Sequence, residues 1–235
     1  MNIGLCFSGH LRNVDKCLDN IIENIVNPLK TISNIDCFIS TWSVKNCRVN
    51  EEPADLKMVI DKLSPVSVNV EPPRAFNTDS TDYLKYSFCS PDTCSNAISM
   101  WYGAYRVKYI LEQYMFTNSK HYDVIFRMRP DTIYHQKIDL QLVKDAVTSN
   151  SIYMPQWHGK YEPVTRQMMD QFAFGDFKNM KIYLGVFENI DQLLSRETSV
   201  HTGEGLLYEQ IKMLSLIRFK FHYSLVRDTS IDRIV

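Results

Sequence analysis

Ile3-Gly4-Leu5-Cys6-Phe7-Ser8-Gly9-His10 opens the chain with a short, nearly continuous apolar run that breaks at Ser8-Gly9. That is the pattern of a strand buried on both faces and ending in a turn. Val14, Leu18, Ile21, Ile22 and Ile25 follow at three- and four-residue intervals, predicting an amphipathic helix over Val14–Val26 that Asn27-Pro28 closes. Asp36-Cys37-Phe38-Ile39-Ser40-Thr41 reads as a second buried strand. Strand, helix and strand in this order leave a connection long enough for a parallel crossover, so the chain begins as an α/β unit.

The pattern continues outward from there. Leu56 to Leu63 predicts a short helix, and Ser67 to Glu71 an alternating strand stopped by Pro72-Pro73. Arg74 to Ser95, rich in Asn, Asp, Ser, Thr and Tyr, reads as a long loop. Ala97 to Tyr114 carries Met100, Ala104, Val107, Ile110 and Leu111 in helical spacing and delivers the chain into a strand over His121 to Arg129. Beyond it the apolar patterns predict a helix at Ile138 to Val147, strands at Ser151 to Pro155 and Asp170 to Gly175, helices at Phe177 to Leu194 and Gly203 to Ser215, and a strand or hairpin at Ile217 to Val226. No repeat and no low-complexity block interrupts this order, which describes one mixed α/β domain.

Composition excludes several classes. The 235 residues are 45% hydrophobic and 23% charged, enough apolar material for a sizeable core. Lys and Arg total 26 against 27 Asp and Glu, so no global field draws in nucleic acid or an anionic membrane, and any anion site is local. Six cysteines form no close C-x-x-C pair, and Cys6 and Cys37 fall within apolar strands, where a reduced thiol packs as a small hydrophobe. A Cys89–Cys94 disulfide is the alternative. The start lacks a basic, secretory-type segment, and no apolar run is long enough to span a bilayer, so the expectation is a cytoplasmic protein. Six histidines show no His-x-x-x-His spacing, which argues against a zinc hydrolase.

Two stretches carry candidate chemistry. Beyond the carboxyl end of the first strand, Ser8 and Gly9 permit close backbone approach to an anion and Arg12 can fork onto phosphate oxygens. Without a G-x-G-x-x-G or Walker pattern, a tight structural turn explains the same residues. The second is Arg127-Met128-Arg129-Pro130-Asp131. On a strand Arg127 and Arg129 share a face, and Pro130 ends the strand in front of a carboxylate. Two adjacent buried cations are costly unless an anion lies between them, which points to an anion site. The plainer alternative is an edge strand whose arginines pair with acids such as Asp123 or Asp139.

Gly4 to Arg12, Asp36 to Trp42, Ser99-Met100-Trp101-Tyr102, Tyr122 to Asp131, and Asp170-Gln171-Phe172-Ala173-Phe174-Gly175, taken together and in order, resemble small glycosyltransferase-like proteins of bacterial surface-polysaccharide clusters and large DNA viruses. The resemblance implies a single GT-A-like (Rossmann-like) α/β domain with a mostly parallel central sheet flanked by helices. Residues 1–135 would bind the nucleotide sugar and 136–235 would face the acceptor. It implies transfer of a sugar from a nucleotide-diphosphate donor to a hydroxyl of a glycan or glycolipid, with no nucleic-acid partner. Ser8, Gly9, Arg12, Thr41, Arg127, Arg129 and Asp131 become the donor-binding candidates.

GT-A enzymes hold Mn²⁺ or Mg²⁺ with an Asp-x-Asp. Here Asp131 stands at the second position and Arg129 at the first. Either Asp131 binds the metal with help from elsewhere, or Arg129 and Asp131 together replace it. As the nucleoside diphosphate leaves, positive charge must meet its phosphates, with Lys108 and Arg227 as further cation candidates; an inverting enzyme also needs a carboxylate to take the acceptor proton, and Asp170 and Glu204 are the candidates. Glu204 is equally explained as a helix-start carboxylate. Trp42, Trp101, Tyr102, Trp157 and Tyr161 supply rings for a base or pyranose, core packing being the competing role for Trp101 and Tyr102. The competing function is a catalytically inactive nucleotide-sugar or glycan-binding module. A methyltransferase is disfavoured because the first turn lacks a glycine-rich loop.

Overall fold

The computed structural model describes residues 1–46, 50–76, 90–155, 170–196, 202–214, 218–222 and 229–230. In chain order its elements begin with β1 (Asn2–Ser8), α1 (Val14–Ile21), a π-helical turn (Ile22–Val26), α2 (Asn27–Lys30), β2 (Asn34–Trp42), β3 (Val44–Asn46) and β4 (Asn50–Pro53). Next come α3 (Leu56–Leu63), β5 (Ser67–Glu71), α4 (Pro91–Thr117), β6 (Val124–Met128), β7 (Ile133–Tyr134), α5 (Leu140–Ala146) and β8 (Ser151–Pro155). The last are β9 (Phe172–Gly175), α6 (Phe177–Leu184), a 3-10 turn (Val186–Asn189), α7 (Ile190–Leu194), α8 (Gly203–Leu214), β10 (Arg218–His222) and β11 (Thr229–Ser230).

Among the described residues the central sheet has seven strands in the order β10-β8-β9-β6-β1-β2-β5. It is mostly parallel, as expected, with β9 running antiparallel to both β6 and β8. Strand β6 is therefore central, which removes the edge-strand alternative for its arginines; Asp123 accepts from the Asn2 amide and Asp139 caps α5. Alternation on the strands builds two cores. Leu5, Phe7, Phe126 and Met128 join Val14, Leu18 and Ile21 on one face, while Cys6, Ile125 and Ala173 join Trp101, Ala104, Val107 and Leu111 of α4 on the other.

Helix α4 is the long element, 27 residues, or about 40 Å at 1.5 Å per residue. Ser90 starts it, its side chain accepting from the Thr93 amide, with Pro91 in the first turn and Asp92 against the helix dipole. It begins earlier than the apolar spacing predicts, because its first turn is polar and carries no apolar periodicity. The helix predicted to close at Asn27-Pro28 instead runs on to Lys30, proline being tolerated at the start of α2 after the π turn. That π turn leaves the Asn24 carbonyl to the Ile138 amide, and Asn20 and Asn24 hold the backbone of Tyr134. Helix α1 thereby fastens the segment that follows Asp131.

Buried Cys6 and Cys37 have thiols raised above their usual range by loss of solvent, Cys37 to about 12. Both are inert packing residues. No described helix is long and apolar enough to cross a membrane. Cys47, Cys89, Trp157, Tyr161, His201 and Arg227 lie outside the described residues.

Candidate functional site

The turn after β1 depends on Gly9, whose φ of +128° is strained for any residue with a Cβ. Its amide donates to the Ser40 carbonyl at 3.2 Å, tying the turn to β2. Register places Phe7 beside Met128, so the end of β1 and the Arg129-Pro130-Asp131 end of β6 lie together. There Asp131 joins two arginines. Arg129 Nε donates to Asp131 Oδ1 at 2.8 Å and its Nη2 to Oδ2 at 2.7 Å, and Arg12 Nη2 donates to Oδ2 at 2.9 Å. Burial opposes the ionised form of Asp131, but the bonds and charge of Arg129 and then of Arg12 outweigh it and hold the carboxyl below its ordinary range.

This cluster stands at the rim of a cleft of about 470 Å³, in the range of small-molecule sites. Gly9, His10 and Arg12 line it from the first turn, Trp42 from the end of β2, and Arg129 from just beyond β6. Asn96, Ser99, Met100 and Gly103 line it from α4. Asp170 and Gln171, just before β9, the strand paired with β6, and Thr202, Gly203 and Glu204 at the start of α8 complete the lining. Trp101 anchors that helix start, its Nε1 donating to the Gly203 carbonyl at 3.0 Å, and Thr202 Oγ1 accepts from the Gly205 amide. Gly203 is constrained by space: a Cβ there would lie 2.2 Å from Asp170 Oδ2 and 2.8 Å from Met100 Cε. The charges of Asp170 and Glu204 both reach Arg129.

The structure thus brings Gly9, Arg12, Arg129, Asp170 and Glu204 to one cleft. Trp42 lines it too and Asp131 is held by the two arginines, but the remaining candidates fall elsewhere. Ser8 is buried beneath the turn rather than exposed in the cleft. Thr41 borders a small polar recess beside it, with Ser40, Asn69, Glu71 and Arg106. Lys108 is buried and paired with Glu188, holding α4 to the 3-10 turn. Trp101 is core, and Tyr102 donates to Glu71 at 2.7 Å and stacks on Trp42 with centroids 5.9 Å apart. Glu71 also accepts from Asn69 and pairs with Arg106 at 2.7 Å. That network went unpredicted because its partners are far apart in sequence.

Arg127 is also not a cleft residue. It faces the α4 side between Cys6 and Ala173, has no exposure, and none of its three guanidine nitrogens has a hydrogen-bond partner. Loss of solvent lowers its pKa, opposed by Tyr183 and Asp170. A buried cation without a hydrogen bond weakens the fold. Arg127→Met is therefore expected to stabilise the ligand-free protein, by roughly 1–4 kcal/mol on the scale of apolar replacements for buried charges. A lower melting temperature would instead give Arg127 an anchoring role.

His10 tilts against Trp42 at 6.2 Å. Burial, then the charge of Arg12, lowers its pKa from 6.5 to about 4. Between these values the unfolded chain binds a proton that the native imidazole does not, so this residue makes stability fall as pH drops from 6.5 towards 4. His10→Gln is expected to flatten urea midpoints across that window; an unchanged slope would assign the acid sensitivity to other groups.

A divalent cation fits poorly at Asp131. Both its oxygens already accept from guanidinium groups, and hard cations need several oxygen ligands. Among the described residues no group of three or more His, Cys, Asp or Glu is placed to hold a metal.

No protein-family model and no curated protein matches the chain. Among solved structures, a glycosyltransferase involved in the glycosylation of the major capsid of PBCV-1 aligns over 94% of this chain and 82% of its own, at 10% identity and a TM-score of 0.45.

Proposed function

We propose that the chain is a GT-A-type glycosyltransferase that moves a sugar from a nucleoside-diphosphate donor to a hydroxyl of a glycan or glycolipid acceptor. The observation that carries this reading is the pairing of Arg12 and Arg129 with Asp131 beside the Gly9 turn, on the rim of a cleft that Asp170 and Glu204 also line. The guanidiniums meet the charge that grows on the departing diphosphate. As the acceptor oxygen bonds to the anomeric carbon, the bond to the diphosphate breaks and its electron pair stays with phosphate. The acceptor proton passes to a carboxylate. Asp170 is the better-held candidate, since Gly203 backs onto its Oδ2 and the charge of Arg129 reaches it. The wall from residues 1–135 would hold the nucleotide, and that from 136–235 the acceptor.

A second reading, an inactive binding module, draws support from Arg129 standing where a metal-binding motif has its first carboxylate. Incubation with UDP-, GDP- and TDP-sugars and glycan acceptors separates the two by release of nucleoside diphosphate. Release with at least one donor is expected of the transferase. A raised melting temperature without release from any donor would leave the binding module.

A further inference from the structure

We propose that nucleoside diphosphate binds this cleft without a divalent cation, its charge taken by guanidinium groups that Asp131 aligns. The proposal rests on the donor role assigned to the cleft above. A carboxylate offers about four lone-pair directions. At Asp131 three are used by N–H groups of two cations: Arg129 through Nε and Nη2, and Arg12 through Nη2. A metal on the same oxygens would sit against both guanidiniums and would have to displace at least one.

Arg127 adds to this charge. It lies two residues before Arg129, within reach of its charge, wholly buried and without a hydrogen bond from any guanidine nitrogen. Two guanidiniums thus surround Asp131, with a third buried nearby whose charge reaches Arg129, and a second cation on the Asp131 oxygens would meet both of the first two. Arg12 and Arg129 also retain the means to act. Their side chains are 33% and 16% exposed, both line the cleft, and each guanidinium has five N–H donors, of which Arg129 spends two on Asp131. The rigid fork suits phosphate oxygens, and a carboxylate behind it fixes its direction. Asp131 is accordingly a positioning residue.

Calorimetric titration of the wild-type chain with UDP, GDP and TDP, first in EDTA and then with millimolar Mg²⁺ or Mn²⁺, tests this. At least one nucleotide is expected to bind in EDTA, with less than a threefold change in affinity on adding metal. Tightening of tenfold or more with metal, or binding only in its presence, overturns the proposal while leaving the donor role standing. No binding under either condition overturns both. As an independent check, Arg12→Gln is expected to weaken binding in EDTA at least tenfold, with a melting temperature lowered by the loss of its bond to Asp131; unaltered affinity would count against the guanidinium clamp.

Discussion

Replacing Gly203 with alanine is expected to lower kcat by about 10²- to 10⁴-fold, the contribution of a positioned general base, while nucleotide affinity stays near that of the wild type. The cause is steric. The new Cβ would fall 2.2 Å from Asp170 Oδ2, a distance that no packed structure keeps, and 3.3 Å from its Cγ. The helix start is held in place by the bond from Trp101 Nε1 to the Gly203 carbonyl. The Asp170 carboxylate must move instead. Arg12 and Arg129 keep their bonds to Asp131, which the new Cβ does not meet, so nucleotide affinity is expected to hold while kcat falls. Full turnover in this variant would show that Asp170 does not take the acceptor proton. Asp170→Asn gives the same comparison with no added bulk.

The second large effect belongs to Arg129→Ala. Loss of a charge-assisted bond to phosphate costs roughly 1.5–3 kcal/mol, or about 10- to 100-fold in Kd. The variant also strips Asp131 of its two-bond partner, leaving a buried carboxylate with Arg12 alone. Nucleotide affinity and thermal stability therefore fall together. Arg129→Lys separates the two: it restores charge beside Asp131 but cannot present two parallel N–H bonds, so stability is expected to recover more than affinity. Unchanged nucleotide binding in Arg129→Ala would make that arginine purely structural.

Much of this arrangement was legible in the residues, and the parts that were not have physical reasons. The run from Ile3 to Phe7 and the spacing of Val14, Leu18 and Ile21 identified the parallel crossover because burial on both strand faces leaves a continuous apolar record. Phe172-Ala173-Phe174-Gly175 reads as a strand, but its four apolar residues carry no sign that it runs antiparallel between β6 and β8. Period-two alternation predicts Arg127 and Arg129 on one face, though β6 ends at Met128, between them. It gives no depth along the strand, and two residues separate a guanidinium sealed in the core from one that lines the cleft. Gly203 could be seen as the entrance to a helix; that it makes room for Asp170, 33 positions earlier in the chain, depends on the packing of α8 against α4. His10, Asn96 and Gln171 gain significance only once the turn, α4 and the segment before β9 meet at the cleft.

The most direct measurement is a crystal structure of the chain with a bound nucleoside diphosphate. Its two phosphates are expected within hydrogen-bond distance of Arg12 and Arg129, below the Gly9 backbone, with Asp170 facing the side from which a sugar would leave. Phosphates seated away from both arginines, or a nucleotide bound outside this cleft altogether, would contradict the assignment.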